Sequence, residues 1–159
     1  MTAAVERDGE GQRALIASDR AGARSAFAAA ADLYRQSWEV APASAYGRLV
    51  GMLKSSVLAG SGVTEARYVL GELDDADPES ATASYARALA ALILDDDEDA
   101  RVWASRMGAG SDAFARAAEA IAALAERDGS RTRPRWTRSC ATSSSAPTTS
   151  PAWRSPTLR

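Results

Sequence analysis

The 159-residue chain has no histidine and one cysteine, Cys140. The usual zinc sites and the Ser-His-Asp and Cys-His catalytic groups all require histidine or several cysteines, so these are excluded. One cysteine cannot form a disulfide within the chain. No apolar run reaches the roughly 20 residues that span a bilayer. Residues 1–13 lack the basic start and apolar core of a secretory signal. We therefore expect a cytoplasmic protein with no membrane partner.

Lysine is also scarce, since Lys54 is the single lysine beside many arginines and alanines. This bias is typical of GC-rich coding DNA and indicates a bacterial source. The formal net charge of −2 is close to neutral, which argues against a dedicated nucleic-acid-binding protein.

The composition changes at residue 129. Residues 129–159 have no acidic residue, four of the six prolines, many serines and threonines, and six arginines. We therefore predict a helical domain over residues 1–128 and a basic tail over residues 129–159. Such a tail is typical of a disordered segment or of one that binds nucleic acid or is phosphorylated.

A frameshift is a further interpretation of the tail. Back-translated with GC-rich codons and read one base earlier, residues 132–140 encode AAALDEIV, a string with helical periodicity. Tryptophan has one codon, so Trp136 and Trp153 restrict the choice. On this interpretation the sequence after residue 128 is a frameshifted C-terminus, and Cys140 carries no function. The nucleotide sequence distinguishes the alternatives.

Apolar residues recur at helical spacing through residues 1–128 and predict about seven helices. The predicted capping residues are Asp19, Ser44, Thr64, Asp77 (followed by Pro78) and Ser111. The turns that end helices are predicted at Pro42, 60–62, 95–97 and 108–110. Val57 is placed on the same side of its helix as Leu49. Leu124 is aligned with Ile121 on the last helix, whose apolar stripe is expected to be partly exposed. The predicted core contains Phe27, Tyr34, Leu49, Leu53, Leu70, Leu89, Trp103 and Phe114.

One spacing of small and larger residues occurs three times, at Ala23-Phe27-Ala30, Ala66-Leu70-Leu73 and Ala100-Ala104-Met107. Together with Gly11-Gln12-Arg13-Ala14, this pattern resembles the tetratricopeptide repeat, whose period is about 34 residues. The resemblance covers about residues 5–107. It departs from the family at Arg7 and Glu10, where large apolar residues are expected. It implies an all-α fold, a right-handed α-solenoid of antiparallel helix pairs.

The resemblance also implies a concave groove that binds a partner. It would place Gln12, Arg48, Ser55 and Tyr85 near that groove, and Tyr46 shares a helix face with Lys54 because eight residues separate them. The candidate groove residues are therefore Gln12, Tyr46, Arg48, Lys54, Ser55 and Tyr85. The alternative interpretation is that both tyrosines lie at the edge of the core and the charges are solvated surface.

We therefore expect a protein-interaction or scaffold module with a protein or peptide partner. The chain offers no catalytic pair, so we expect neither an enzyme nor a bound metal or cofactor. The acidic run at residues 95–99 lacks the spacing of a calcium loop and is interpreted as a solvated turn that favours the next helix N-terminus.

The alternative function is a regulatory module that binds a small ligand or nucleic acid through the arginine-rich C-terminal segment. The apolar stripe of residues 111–127 could also support self-association.

Overall fold

The computed structural model describes residues 2–42, 46–77, 79–107 and 111–129. Within these ranges the chain forms α-helices and no β-strand, so the all-α prediction is confirmed. The helices are α1 (Thr2–Ile16), α2 (Arg20–Val40), α3 (Gly47–Ala59), α4 (Gly62–Glu72), α5 (Ala81–Ile93), α6 (Asp97–Met107) and α7 (Asp112–Gly129). The predicted cap Ser44, the turn at 108–110 and the basic tail from residue 130 lie outside the described residues.

Each helix packs against the next one along the chain, and α5 also packs against α3 and α7. A side-chain hydrogen bond adds a link between α1 and α3, because the Ser55 hydroxyl donates to Asp8 at 3.0 Å. The helix α5 therefore lies at the centre of the molecule, with helices from both halves against it.

The start of α2 is confirmed as predicted. Asp19 caps it by accepting a hydrogen bond from the Gly22 backbone N–H at 2.9 Å. Phe27 is fully buried on the inward stripe of α2 and lies against Gly11 of α1. A Cβ on Gly11 would lie 2.8 Å from the Phe27 ring, so glycine is what lets these two helices approach so closely.

The predicted start of α4 is wrong by a few residues. Gly60 ends α3 in the left-handed conformation, at φ 92°, and its N–H donates to the carbonyls of Ser56 and Val57. The chain then re-enters a helix at once, with Ser61 in the capping position and Gly62 as the first helical residue. Thr64 therefore lies inside the first turn of α4 and does not cap it.

The predicted start of α5 is also too early. Asp77 accepts a hydrogen bond from the Glu79 N–H at 3.0 Å, which is a local turn ahead of the helix. The cap is Ser80, whose hydroxyl accepts from the Ala83 N–H at 3.3 Å. Two capping residues stand three positions apart, and the later one begins the helix.

In the described part of the chain, two clusters of buried side chains form most of the interior. The first, which we call the central core, joins α2, α3, α4 and α5 and contains Trp38, Leu49, Met52, Leu53, Val69 and Leu73 among others. The second, the C-terminal core, joins α5, α6 and α7 and consists of Ala88, Ala91, Ala100, Ala104, Met107 and Ile121.

The predicted core residues separate into two groups. Phe27, Leu49 and Leu53 are fully buried. The others are half-buried, and those that pack against the two cores are Tyr34, Leu70, Leu89, Trp103 and Phe114. The placement of Val57 on the Leu49 side of α3 is wrong, because Val57 is 48% exposed. Leu124 is 45% exposed, in agreement with the expected partial exposure of the α7 stripe. The stripe of α7 is otherwise largely covered, with Ile121 and Ala125 buried.

Candidate functional site

Lys54 and Tyr85, two of the predicted groove residues, lie together between α3 and α5. The Lys54 Nζ atom is 5.1 Å from the centre of the Tyr85 ring, a distance typical of a cation–π contact. Phe114 of α7 contacts the same tyrosine, and its ring meets that of Tyr85 edge-on with centroids 6.1 Å apart. Tyr85 therefore connects α3 to α7.

Ser55 and Gln12 meet at a shared carboxylate. The Ser55 hydroxyl donates to Asp8 Oδ1 at 3.0 Å, and the Gln12 amide donates to Asp8 Oδ2 at 3.1 Å. Ser55 itself is buried, so its hydroxyl serves this hydrogen bond and Gln12 is the exposed member of the group.

Arg48 and Tyr46 contact the end of α2. The Arg48 guanidinium donates to the carbonyls of Ser37 at 2.6 Å and Ala41 at 2.8 Å, and the Tyr46 ring lies 5.9 Å from that of Trp38. Carbonyls at a helix C-terminus lack partners within the helix, and a cation there also interacts favourably with the helix dipole. These contacts give Arg48 a structural role at the α2–α3 junction.

Arg87 makes a similar contact two helices further along the chain, and sequence reasoning missed it. Its guanidinium donates to the carbonyl of Leu73, the residue that ends α4. A sequence pattern could have identified Arg87. An arginine follows a tyrosine by two positions at Tyr46 and Arg48, and again at Tyr85 and Arg87.

Arg87 also stacks on Trp103 of α6. The guanidinium carbons of Arg87 and Arg106 each lie 4.3 Å from the centre of the Trp103 ring. The half-buried indole therefore contacts two cations, a favourable arrangement for its electron-rich ring.

A cavity of about 390 Å³ lies beside the Lys54–Tyr85 pair, between α3 and α5. Lys54 is the one polar residue of its lining. The aliphatic lining residues are Leu53, Val57, Leu58, Leu89, Leu92 and Ile93. Val57 and Leu58 are each 48% exposed, so this wall of the cavity is open to solvent.

A second cavity, of about 450 Å³, lies between α1 and α2. Small residues such as Ala26 and Ala29 line it, and Arg7 and Glu10 at its edge pair with each other at 2.6 Å. The charges of Arg7 and Glu10 therefore pair with each other at this recess.

Polar contacts also join α2 to α4. The Trp38 indole donates to Glu72 at 2.6 Å, and the Arg35 guanidinium donates to Glu65 at 3.2 Å. Burial raises the pKa of Tyr68, and the carboxylates of Glu72 and Glu39 raise it further because they disfavour a second negative charge. Together these contacts fix α2 against α4.

The pKa of Tyr34, like that of Tyr68, is raised above its ordinary value. Burial of its ring between α2 and α3 is the main cause, and the charge of Asp8 adds to it. The ring is held close, since a Cβ on Gly51 would lie 2.8 Å from it. The tyrosine belongs to the packing of the central core.

The acidic run at residues 95–99 lies at the start of α6 and caps it, in agreement with its interpretation as a turn that favours the next helix N-terminus. The Asp99 N–H donates to Asp96 Oδ1 at 3.2 Å at the start of α6, and three acidic residues lie in the first turn. Among the described residues no group of three or more histidine, cysteine or acidic side chains is arranged to hold a metal. None of the helices described is both long and apolar enough to cross a membrane.

Comparison of the chain with protein-family models, with curated proteins and with solved structures returned no match. The functional assignment therefore rests on the geometry of the chain itself.

Proposed function

We propose that the chain is a tetratricopeptide-like α-solenoid that binds a protein or peptide partner in the cytoplasm, and that it is not an enzyme. In this arrangement the antiparallel pairs α1–α2, α3–α4 and α5–α6 stack in sequence order, and α7 follows the last pair. Solenoids of this kind have extended binding surfaces in place of a single closed catalytic pocket.

The repeated arginine contact carries the proposal. Arg48 reaches from α3 to the C-terminal end of α2, and Arg87 reaches from α5 to the C-terminal end of α4. In both cases the first helix of one pair holds the last turn of the preceding pair. Such a recurrence is expected of stacked repeats, in which each unit contacts mainly its neighbours.

The binding surface we propose is the row of helices α1, α3, α5 and α7. Side-chain contacts follow this row in order, from Asp8–Ser55 to Lys54–Tyr85 and then Tyr85–Phe114. Lys54 and Gln12 are exposed on it. Arg48 and Tyr46 support the junction behind this surface.

Affinity capture with the full chain tests the proposal. Lys54→Glu reverses the charge of an exposed residue on the row, whereas the control Arg24→Glu makes the same reversal on α2, where Arg24 is exposed. We expect a partner captured by the unchanged chain and by Arg24→Glu to be lost with Lys54→Glu, at equal thermal stability. Identical captured proteins for all three chains would contradict the proposed surface.

A further inference from the structure

The surface of the cavity between α3 and α5 is entirely apolar. Lys54 lines it with its aliphatic stem, and its charged amine lies beyond the lining, over the Tyr85 ring. Lys54 precedes Leu58 by one helical turn on α3, and Tyr85 precedes Leu89 by one turn on α5. The Lys54–Tyr85 contact therefore marks one end, while Leu58 and Leu92 lie toward the other. This order matches a molecule with an anionic head and an aliphatic tail.

The amine of Lys54 is free to bind an anion. Neither of the ion pairs in the described part of the chain involves it, and its recorded contact is with the neutral Tyr85 ring. An ammonium group offers three hydrogen-bond donors, and a carboxylate bound there would gain a charge-assisted hydrogen bond.

The remaining lining residues of the cavity are aliphatic and provide no hydrogen-bonding side chain. Six aliphatic side chains form it, and two of them, Val57 and Leu58, are nearly half exposed. Burying such surface against an alkyl chain is favourable by the hydrophobic effect. The volume of about 390 Å³ is near the lower limit of small-molecule sites, about 300–1,000 Å³, which favours one short chain.

We propose that this cavity binds a medium-chain fatty carboxylate, with the carboxylate on Lys54 and the alkyl chain along Leu58, Leu89 and Leu92. The site does not rest on the partner-binding role proposed above. A chain that captures no protein but binds the carboxylate would retain this site and contradict that role.

Calorimetric titration of the full chain with hexanoate, octanoate and decanoate tests the site. We expect one molecule bound per chain, with affinity rising about fourfold for each methylene that becomes buried. Lys54→Met keeps the aliphatic stem and removes the charge, so it should weaken decanoate binding about fivefold and leave decanol binding unchanged. The matched control Arg24→Met should bind decanoate like the unchanged chain.

A second variant tests the tail end of the cavity. Leu58→Glu places a carboxylate where the alkyl chain should lie and should abolish decanoate binding. Val102→Glu, at a residue of α6 that is 42% exposed, is its control and should bind normally. Because Leu58 is exposed, both variants are expected to keep the thermal stability of the unchanged chain.

Three results would overturn the proposal. These are the absence of saturable decanoate binding, equal binding by Lys54→Met and Arg24→Met, and affinity that does not depend on chain length. Sedimentation showing a dimer that Leu58→Glu converts to a monomer would also overturn it, because a second copy would then occupy the cavity.

Discussion

The two cores of this molecule are built from side chains of different size. The central core has five alanines and seven larger buried residues, among them Leu49, Met52 and Leu73, which are fully buried. The C-terminal core has four alanines and only two larger buried residues, Met107 and Ile121. Alanine lets helices approach closely but removes less apolar surface from water, so it contributes less hydrophobic stabilisation per residue.

The polar contacts of the two regions also differ, and those of the central region are expected to be the more stabilising. In the central region Arg48, Arg35 and Trp38 each donate hydrogen bonds that join one helix to another. In the C-terminal region the stack on Trp103 includes Arg106, which is exposed. On the proposed repeat architecture, stability is close to a sum of local terms, so we expect α6 and α7 to open before the central helices do.

The largest expected effect is that of Leu49→Ala. It removes a fully buried side chain from the central core and should lower the free energy of unfolding by about 2–5 kcal/mol, measured by urea denaturation. Leu124→Ala on α7, where the residue is 45% exposed, is the matched control and should lower it by less than about 1 kcal/mol. Equal losses would mean that the two regions do not differ as described.

The second effect concerns the arginine at the α2–α3 junction. Arg48→Met keeps most of the aliphatic stem but removes the donors to Ser37 and Ala41. We expect a loss of about 1.5–3 kcal/mol, the range for hydrogen bonds to charged groups. Arg106→Met in the C-terminal region should cost only about 0.5–1 kcal/mol, as for an exposed cation–π contact. Urea denaturation of both variants checks the order, and the reverse order would contradict the account.

Two glycines of the central helices should respond with opposite sign. Gly51→Ala would place a Cβ 2.8 Å from the Tyr34 ring, and the overlap should cost about 1–3 kcal/mol. A Cβ added at Gly71 would have no neighbouring atom within 4 Å. Gly71→Ala should therefore stabilise the protein by about 0.5–1 kcal/mol, because alanine restricts the unfolded chain. Thermal denaturation should move the midpoint down for the first and up for the second. A downward shift for Gly71→Ala would contradict the open space at that position.

The smallest expected effect is on alkaline stability. The pKa of Tyr68 is raised above 10.0 in the folded protein, by burial first and then by nearby carboxylates. Tyr68 therefore contributes stability that is present below pH 10.0 and is lost as the pH rises through the folded pKa, because the unfolded chain releases the proton first. Tyr68→Phe should reduce this loss, as measured by urea denaturation below and above pH 10.0. A tyrosine absorbance titration that gives no pKa above the ordinary value would contradict this.

The existence of the helices could be predicted because it depends on local periodicity. Their exact starts could not, because capping signals compete. Asp77 with Pro78 is a good local start, yet Ser80 caps α5. Thr64 does not cap α4, because after the turn at Gly60 the helix begins at Gly62, two residues before Thr64. Periodicity also placed Val57 inward, but it lies beside the α3–α5 cavity, a feature that only the packing of two distant helices creates.

In the candidate site, too, some features could be predicted from the sequence and others depend on tertiary packing. Lys54 and Tyr85 are 31 positions apart in the chain and lie in contact. The resemblance to a repeat placed Tyr85 near the groove, and the eight-residue spacing from Tyr46 added Lys54. The same reasoning grouped Arg48 with them, although its hydrogen bonds go to the backbone at the end of α2. Side-chain type identifies an arginine as a surface candidate, whereas its backbone acceptors depend on tertiary packing.

Native-state hydrogen exchange tests the central claim, the unequal stability of the two cores, most directly. We predict that amides of α3 and α4 exchange only through global unfolding, with the full free energy and denaturant dependence. Amides of α6 and α7 should exchange through a smaller opening with a lower free energy and a weaker denaturant dependence. Equal protection in all seven helices, or the highest protection in α7, would contradict the account.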